Sequence, residues 1–264
     1  VFCAVLRLAS FWHMFQITAR KPFFPFKRPV AVQKRQRRSL MDWKRFLMPE
    51  VPYTVWKKCV VLSTVVGFYT VGYLYLNYTT IHAEKFYDVS FAFEQGIPFV
   101  YHLVPSYIFV YFLVIALYLA IDSDELLMEA AKTFVTVSII HFLFFYFLPV
   151  KMVDRPVLVP TGGIWNDIAA FWFWVDEPTT LFPSAHVSMS FLSAYYIGRV
   201  HRRFGIFCII AAAYVGASVV LIKQHYVADV IAGFFLATAG YQWFHRKPYI
   251  ELAARFKQRL NQAF

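Results

Sequence analysis

Six long apolar runs constrain this chain more than any other feature. They lie near residues 59–77, 98–121, 131–149, 185–200, 204–222 and 226–244. The chain has 264 residues, 59% of them hydrophobic and only 16% charged. A soluble domain of that size carries more charge to solvate its surface. Apolar residues gathered into runs point instead to a bilayer, where each backbone N–H and C=O must be paired inside its own helix. Several runs are at the short end of the ~17–25 residues a spanning helix needs, which a helix inside a bundle can tolerate. The expected fold is therefore all-α, a polytopic membrane bundle of six transmembrane helices over residues 55–245. A basic segment, 1–54, precedes it and a basic tail, 246–264, follows. No Gly/Ser-rich linker or internal repeat divides the bundle.

The net charge of +11 suggests nucleic acid until the basic residues are located. They cluster beside the apolar runs, as the positive-inside rule expects, so no nucleic-acid partner is expected. With the N-terminus in the cytoplasm and six alternating helices, 22 of the 26 Lys and Arg residues fall on the cytoplasmic side. Both termini are thus expected in the cytoplasm. The run Lys34-Arg35-Gln36-Arg37-Arg38 reads as a juxtamembrane anchor for anionic lipid headgroups, and residues 250–264 as a short basic interfacial helix. Val1–Gln16 is apolar but broken by Arg7 and His13 and lacks a small-residue cleavage site, which favours an interfacial segment over a secretory signal. Cys3, Cys59 and Cys208 have neither disulfide nor zinc spacing. The Trp165–Trp174 stretch is expected to lie at the interface and roof the site, or simply to belong to an aromatic belt.

Four cations remain on the outer side: Lys85, Lys151, Arg155 and Lys223. Three of them border the loops that hold the most informative residues. Asp229 is the one acidic residue inside the six runs, where an ionisable group is costly and needs a partner. His225 precedes it by four residues, so on a helix the two share a face. The carboxylate can then fix the imidazole tautomer and leave the other ring nitrogen as a nucleophile or base. Taken alone, such a pair is equally well a hydrogen-bonded strut between helices. His186 adds to it, standing behind Pro183-Ser184 where the fourth run begins. Ser184 is a good N-cap, and first-turn N–H groups attract anions. In a six-helix topology His186, His225, Lys151, Arg155 and Lys223 all open on one face, an arrangement suited to phosphoryl transfer. Two His and one carboxylate also suit iron or zinc, but three cations would repel a metal ion. A serine hydrolase built on Ser184 lacks the GxSxG elbow. His102 and His141 read as hydrogen-bonded bundle residues, and Asn166, Asp167, Asp176 and Glu177 as solvated loop residues.

These residues resemble the signatures of the type-2 phosphatidic acid phosphatase (PAP2) superfamily. FPSAH at 182–186 is similar to the second signature, PSGH. SVVLIKQHYVAD, from Ser218 to Asp229, resembles the third, SRxxxxxHxxxD. Arg155-Pro156 is similar to the end of the first, KxxxxxxRP. Three positions depart from the pattern: Ala185 replaces a Gly, Val219 an Arg and Leu148 a Lys. Lys151 and Lys223 are expected to supply the missing charge. The loosened third signature resembles the branch that includes inositol phosphorylceramide synthases. The resemblance implies that His225 attacks phosphorus, Asp229 orients it, and His186 serves as acid and then base. It further implies that Arg155, Lys151, Lys223 and N–H groups near Ser184 hold the phosphoryl oxygens, with no metal or other cofactor. A lipid phosphate or diphosphate would enter sideways from the bilayer. The implied activity is that of a lipid phosphate phosphatase. Transfer of a phospho-headgroup to a lipid alcohol and a catalytically silent membrane scaffold are the alternatives.

Overall fold

The computed structural model describes residues 55–246. Segment 1–54, with its Lys34–Arg38 run, and the interfacial helix expected over 250–264 lie outside the described residues. Those described are all-helical apart from two isolated bridges. Seven α-helices follow one another: α1 (Val55–Thr80), α2 (Val104–Ala120), α3 (Asp124–Phe147), α4 (Ile164–Val175), α5 (Ala185–Val200), α6 (Arg202–Leu221) and α7 (Val227–Arg246). The 3₁₀ turns Ala92–Gly96 and Tyr101–Leu103 lie between α1 and α2.

Five of these helices are long and apolar enough to cross a membrane: α1, α3, α6, α7 and α2 taken with the turn before it. The chain is a multi-pass membrane protein. The sixth expected span is α5, whose 16 residues give a length of about 24 Å. Shortness suits its position, because α5 packs against α6, α2 and α7 and is largely enclosed by them. The remaining helix, α4, is a 12-residue amphipathic segment. It covers the Trp165–Trp174 stretch.

Local chemistry sets the helix boundaries. Ser123 caps α3, its hydroxyl accepting Leu126 N–H at 3.4 Å, with Asp124 and Glu125 in the first turn where the helix dipole favours them. The acidic stretch 122–132, which joins the second and third apolar runs, is therefore mostly helix. The cap and the dipole outweigh the charge, and Glu129 pairs with Arg199 of α5. Pro105 stands in the first turn of α2, where its missing N–H costs nothing. The regular α-helix starts at Val104, with the 3₁₀ turn Tyr101–Leu103 ahead of it in the same apolar span. Between α5 and α6 only His201, with extended backbone, reverses the chain. A Cβ on Gly205 would collide with the Gly198 backbone, so the two helices touch main chain to main chain at this hairpin.

One end of the bundle is closed by interlocking loops. Tyr87 pairs with Val150, and Val150 with Thr180, in isolated parallel bridges. Val100 N–H donates to Leu221 O at 2.9 Å, and Met152 N–H to Pro178 O at 3.0 Å. A small second core of Val150, Met152, Leu181 and Tyr226 lies under these loops. The starts of α2, α5 and α7 and the ends of α1, α3 and α6 all meet here.

Candidate active site

At this closed end the turn 222–226 carries the chain from α6 into α7. Val219 O accepts N–H groups from both Gln224 (2.9 Å) and His225 (3.1 Å), and Lys223 takes a left-handed conformation, φ 55°. That conformation is unfavourable for a residue with a Cβ. It folds the chain back so that His225 sits over the start of α7. His225 and Asp229 were expected on one helix, but α7 begins at Val227 and His225 belongs to the turn. The pairing nevertheless forms. His225 Nδ1 lies 3.4 Å from Asp229 Oδ2, which also accepts Tyr226 N–H at 2.8 Å in the manner of a capping carboxylate.

The α5 side of the site is locked to α7 by backbone. Ser184 N–H donates to Asp229 O at 3.0 Å, and Ser188 Oγ donates to Gly233 O at 2.9 Å. Gly233 lets the helices approach this closely, since a Cβ there would be 2.5 Å from Ser184 O. Ser184 is fully buried, and its hydroxyl caps α5 by accepting Val187 N–H at 3.4 Å. His186 follows in the first turn, and its Nδ1 lies 3.3 Å from His225 Nε2. If Asp229 accepts the Nδ1–H of His225, then His225 Nε2 carries a lone pair and His186 Nδ1 is the donor facing it. The result is a chain His186–His225–Asp229, its carboxylate wholly buried and His225 only 6% exposed.

The cations are placed less directly. Arg155 donates to the carbonyls of Asp176 (2.5 Å) and Phe173 (3.1 Å) and stacks on the Phe173 ring. Burial pushes its pKa down and nearby Asp176 pulls it back up, so the guanidinium stays charged. Lys223 Nζ donates to Glu94 O at 3.1 Å, and the exposed Lys151 lies over the Phe86 ring at 5.2 Å. Lys223 shares a cavity wall with His225, whereas Arg155 and Lys151 are held against Phe173, Asp176 and Phe86. None of the three hydrogen-bonds either imidazole among the described residues.

Several residues at the site were not singled out from sequence. Asp176, expected to be solvated, is buried and accepts the hydroxyls of Tyr107 (3.0 Å) and Tyr73. The Tyr107 ring in turn packs on His186 with centroids 4.3 Å apart. Glu94 is buried too, one oxygen accepting Phe91 N–H and the other Val227 N–H, so it ties the Ala92–Gly96 turn to the start of α7. Gln224 is 4% exposed and its Nε2 has no partner among the described residues. His141 is a bundle residue as expected, bonded to Val137 O and facing Ser188 Oγ at 3.2 Å. His102 lies in the 3₁₀ turn that opens the second span, its ring against Tyr101. Asn166 and Asp167 bond only to the nearby loop backbone.

Two cavities flank His225. One, a small pocket on the His186 side, is lined by Tyr73, Asp176, Glu177, Thr180 and Gln224, with no Lys or Arg in its wall. The other, equally small, holds Lys223, Asp154, Glu94 and Tyr226.

Fold and site together define a multi-pass membrane protein with a buried, carboxylate-supported histidine pair at one end of its bundle. The pattern of the PAP2 superfamily matches residues 73–243, which include every element of this site. The chain belongs to the PAP2 superfamily. No curated protein matches it.

Proposed function

We propose that this protein is an integral-membrane lipid phosphate phosphatase that works through a phosphohistidine. The observation that carries this reading is the His186–His225–Asp229 chain, with an imidazole nitrogen of His225 facing a second histidine inside a PAP2 fold. His225 Nε2 forms the N–P bond while the bond from phosphorus to the leaving oxygen breaks, and His186 gives that oxygen a proton. Asp229 stabilises the imidazole as it gains positive charge. His186 then takes a proton from water, whose oxygen attacks phosphorus and breaks the N–P bond. The cations Arg155, Lys151 and Lys223, the first-turn N–H groups beside Ser184 and the buried Gln224 amide supply donors for the phosphoryl oxygens. The 3.3 and 3.4 Å separations are long for working hydrogen bonds, as is common before substrate tightens a site. The basic residues near both ends favour a site on the face opposite the termini.

Transfer to a lipid alcohol shares the same intermediate and differs only in what resolves it. One observation favours it. The cavity beside His186 is walled by carboxylates, hydroxyls and an amide, groups that match a hydroxylated acceptor better than a second phosphate.

Phosphate release from phosphatidate, prenyl diphosphates and sphingoid phosphates, with and without acceptor lipid, tests both readings. Release without acceptor supports hydrolysis, and turnover only with acceptor supports transfer. His225→Ala is expected to abolish turnover while the protein stays monodisperse in detergent. Full activity in that variant would remove His225 as the nucleophile.

A further inference from the structure

The helices α6 and α7 are consecutive, yet they barely pack on each other. Between them runs an open apolar groove of about 1010 Å³. Its floor on the α6 side is made of small residues, Ala213, Gly216 and Ala217, with Val220 at the upper end; Val230 and Phe234 face them from α7. Ala213 and Ala217 are exposed, and no described residue fills the space above them.

The groove ends beside the polar cavity. Val220 lines both the groove and the polar cavity that contains Lys223 and His225. The Ala92–Gly96 turn straddles this junction. Phe93 and Gly96 face the groove, whereas Glu94 and Gln95 face the polar cavity. Two contacts hold the turn there: Val227 N–H donates to Glu94 Oε2 at 3.0 Å, and Lys223 Nζ donates to Glu94 O at 3.1 Å. A polar chamber with a cation and an imidazole thus adjoins an apolar channel that opens sideways, in the order of a headgroup and its tail.

We infer that the α6–α7 groove seats the acyl or prenyl chain of the phosphorylated substrate and delivers its headgroup to His225 from the Lys223 side. This rests on the phosphate chemistry proposed above. The groove wall is apolar along its length, from Phe93 and Pro98 past Val230 to Phe235, which suits hydrocarbon. From Val227 to Phe235 it runs for roughly 12 Å along α7, so it grips the part of the chain nearest the headgroup. Bulk lipid wets any lipid-facing groove. A substrate seat differs in that blocking it changes which substrates turn over.

The test fills the groove from its floor with Ala217→Trp and, as a milder variant, Ala213→Phe. Both side chains would project outward, away from the core. Val71→Trp, on an exposed face of α1, controls for added bulk. Phosphate release is measured with short- and long-chain forms of one headgroup: dihexanoyl and dioleoyl phosphatidate, or geranyl and undecaprenyl diphosphate. The expected result is a roughly tenfold or larger loss of kcat/KM on the long-chain form with the short-chain rate nearly kept, and no loss in Val71→Trp. Equal effects on both chain lengths, or none on either, while wild type turns over both, would overturn the groove assignment alone. A wild type inactive on every phosphorylated lipid would instead overturn the phosphatase reading, and this inference with it.

Discussion

The spacing of the histidine pair rests on one backbone contact, and Gly233→Ala tests it. A Cβ at residue 233 would lie 2.5 Å from Ser184 O and 3.3 Å from Ser188 Oγ, whereas ordinary contact begins near 3.4 Å. The start of α5 and the body of α7 must therefore separate by about 0.9 Å to admit one methyl group. The hydrogen bonds from Ser184 N–H to Asp229 O and from Ser188 Oγ to Gly233 O span the same gap. The movement carries His186 away from His225, which are 3.3 Å apart. A misplacement near 1 Å costs about 100-fold in rate, so kcat/KM is expected to fall by about 30- to 100-fold. Stability should change less. Overpacking costs about 1–3 kcal/mol, and the helix propensity of Ala returns close to 1 kcal/mol of it. The assay pairs turnover of the best lipid phosphate with thermal unfolding in detergent. Gly67→Ala serves as the control, since a Cβ there meets nothing within 4 Å. A Gly233→Ala protein with wild-type kcat/KM would refute the idea that this contact sets the histidine spacing, whatever its stability.

Asp176→Ala leaves the buried Tyr73 and Tyr107 hydroxyls without their acceptor and is expected to lower stability by about 2–4 kcal/mol, read as a fall in unfolding temperature. An unchanged transition would show that the tyrosines find other partners. Gln224→Leu removes the buried amide beside both histidines and should lower kcat/KM by about tenfold with little effect on folding, because its Nε2 has no partner among the described residues to strand. Wild-type kinetics would exclude Gln224 from substrate contact. Asp229→Asn is expected to lower kcat by at least about 100-fold, since the amide no longer stabilises a charged imidazole; a mild effect would assign Asp229 to helix capping alone. Turnover is expected to persist in EDTA. Loss that one divalent ion restores would revive the metal reading.

Much of this protein was legible one residue at a time. Apolar runs imply spanning helices because hydrocarbon leaves the backbone no other partner. PSAH and HYVAD could be placed at helix starts because capping is local chemistry. Their i,i+4 spacing brought His225 to Asp229 even though α7 begins two residues later than expected, since the turn and the helix start put the pair within reach alike. Short-range charge was less legible. Asp124, Glu125 and Glu129 look like a loop in sequence, whereas a serine cap and the helix dipole make them the first turns of α3.

What sequence could not decide is what depends on contacts between distant segments. The 3.3 Å approach of His186 to His225 comes from α5 and α7 meeting at Gly233, and nothing within either segment encodes that distance. Asp176 reads as a solvated loop residue until Tyr73 and Tyr107 arrive from two other helices to bury it. Arg155, Lys151 and Lys223 carry the charge a phosphate would need, yet their heads are held by carbonyls and rings of other segments, which no local pattern announces. Periodicity and capping are properties of a few consecutive residues, so the chain itself reports them. Distance, burial and the direction of a side chain are properties of the packed bundle, and only the tertiary structure assigns them.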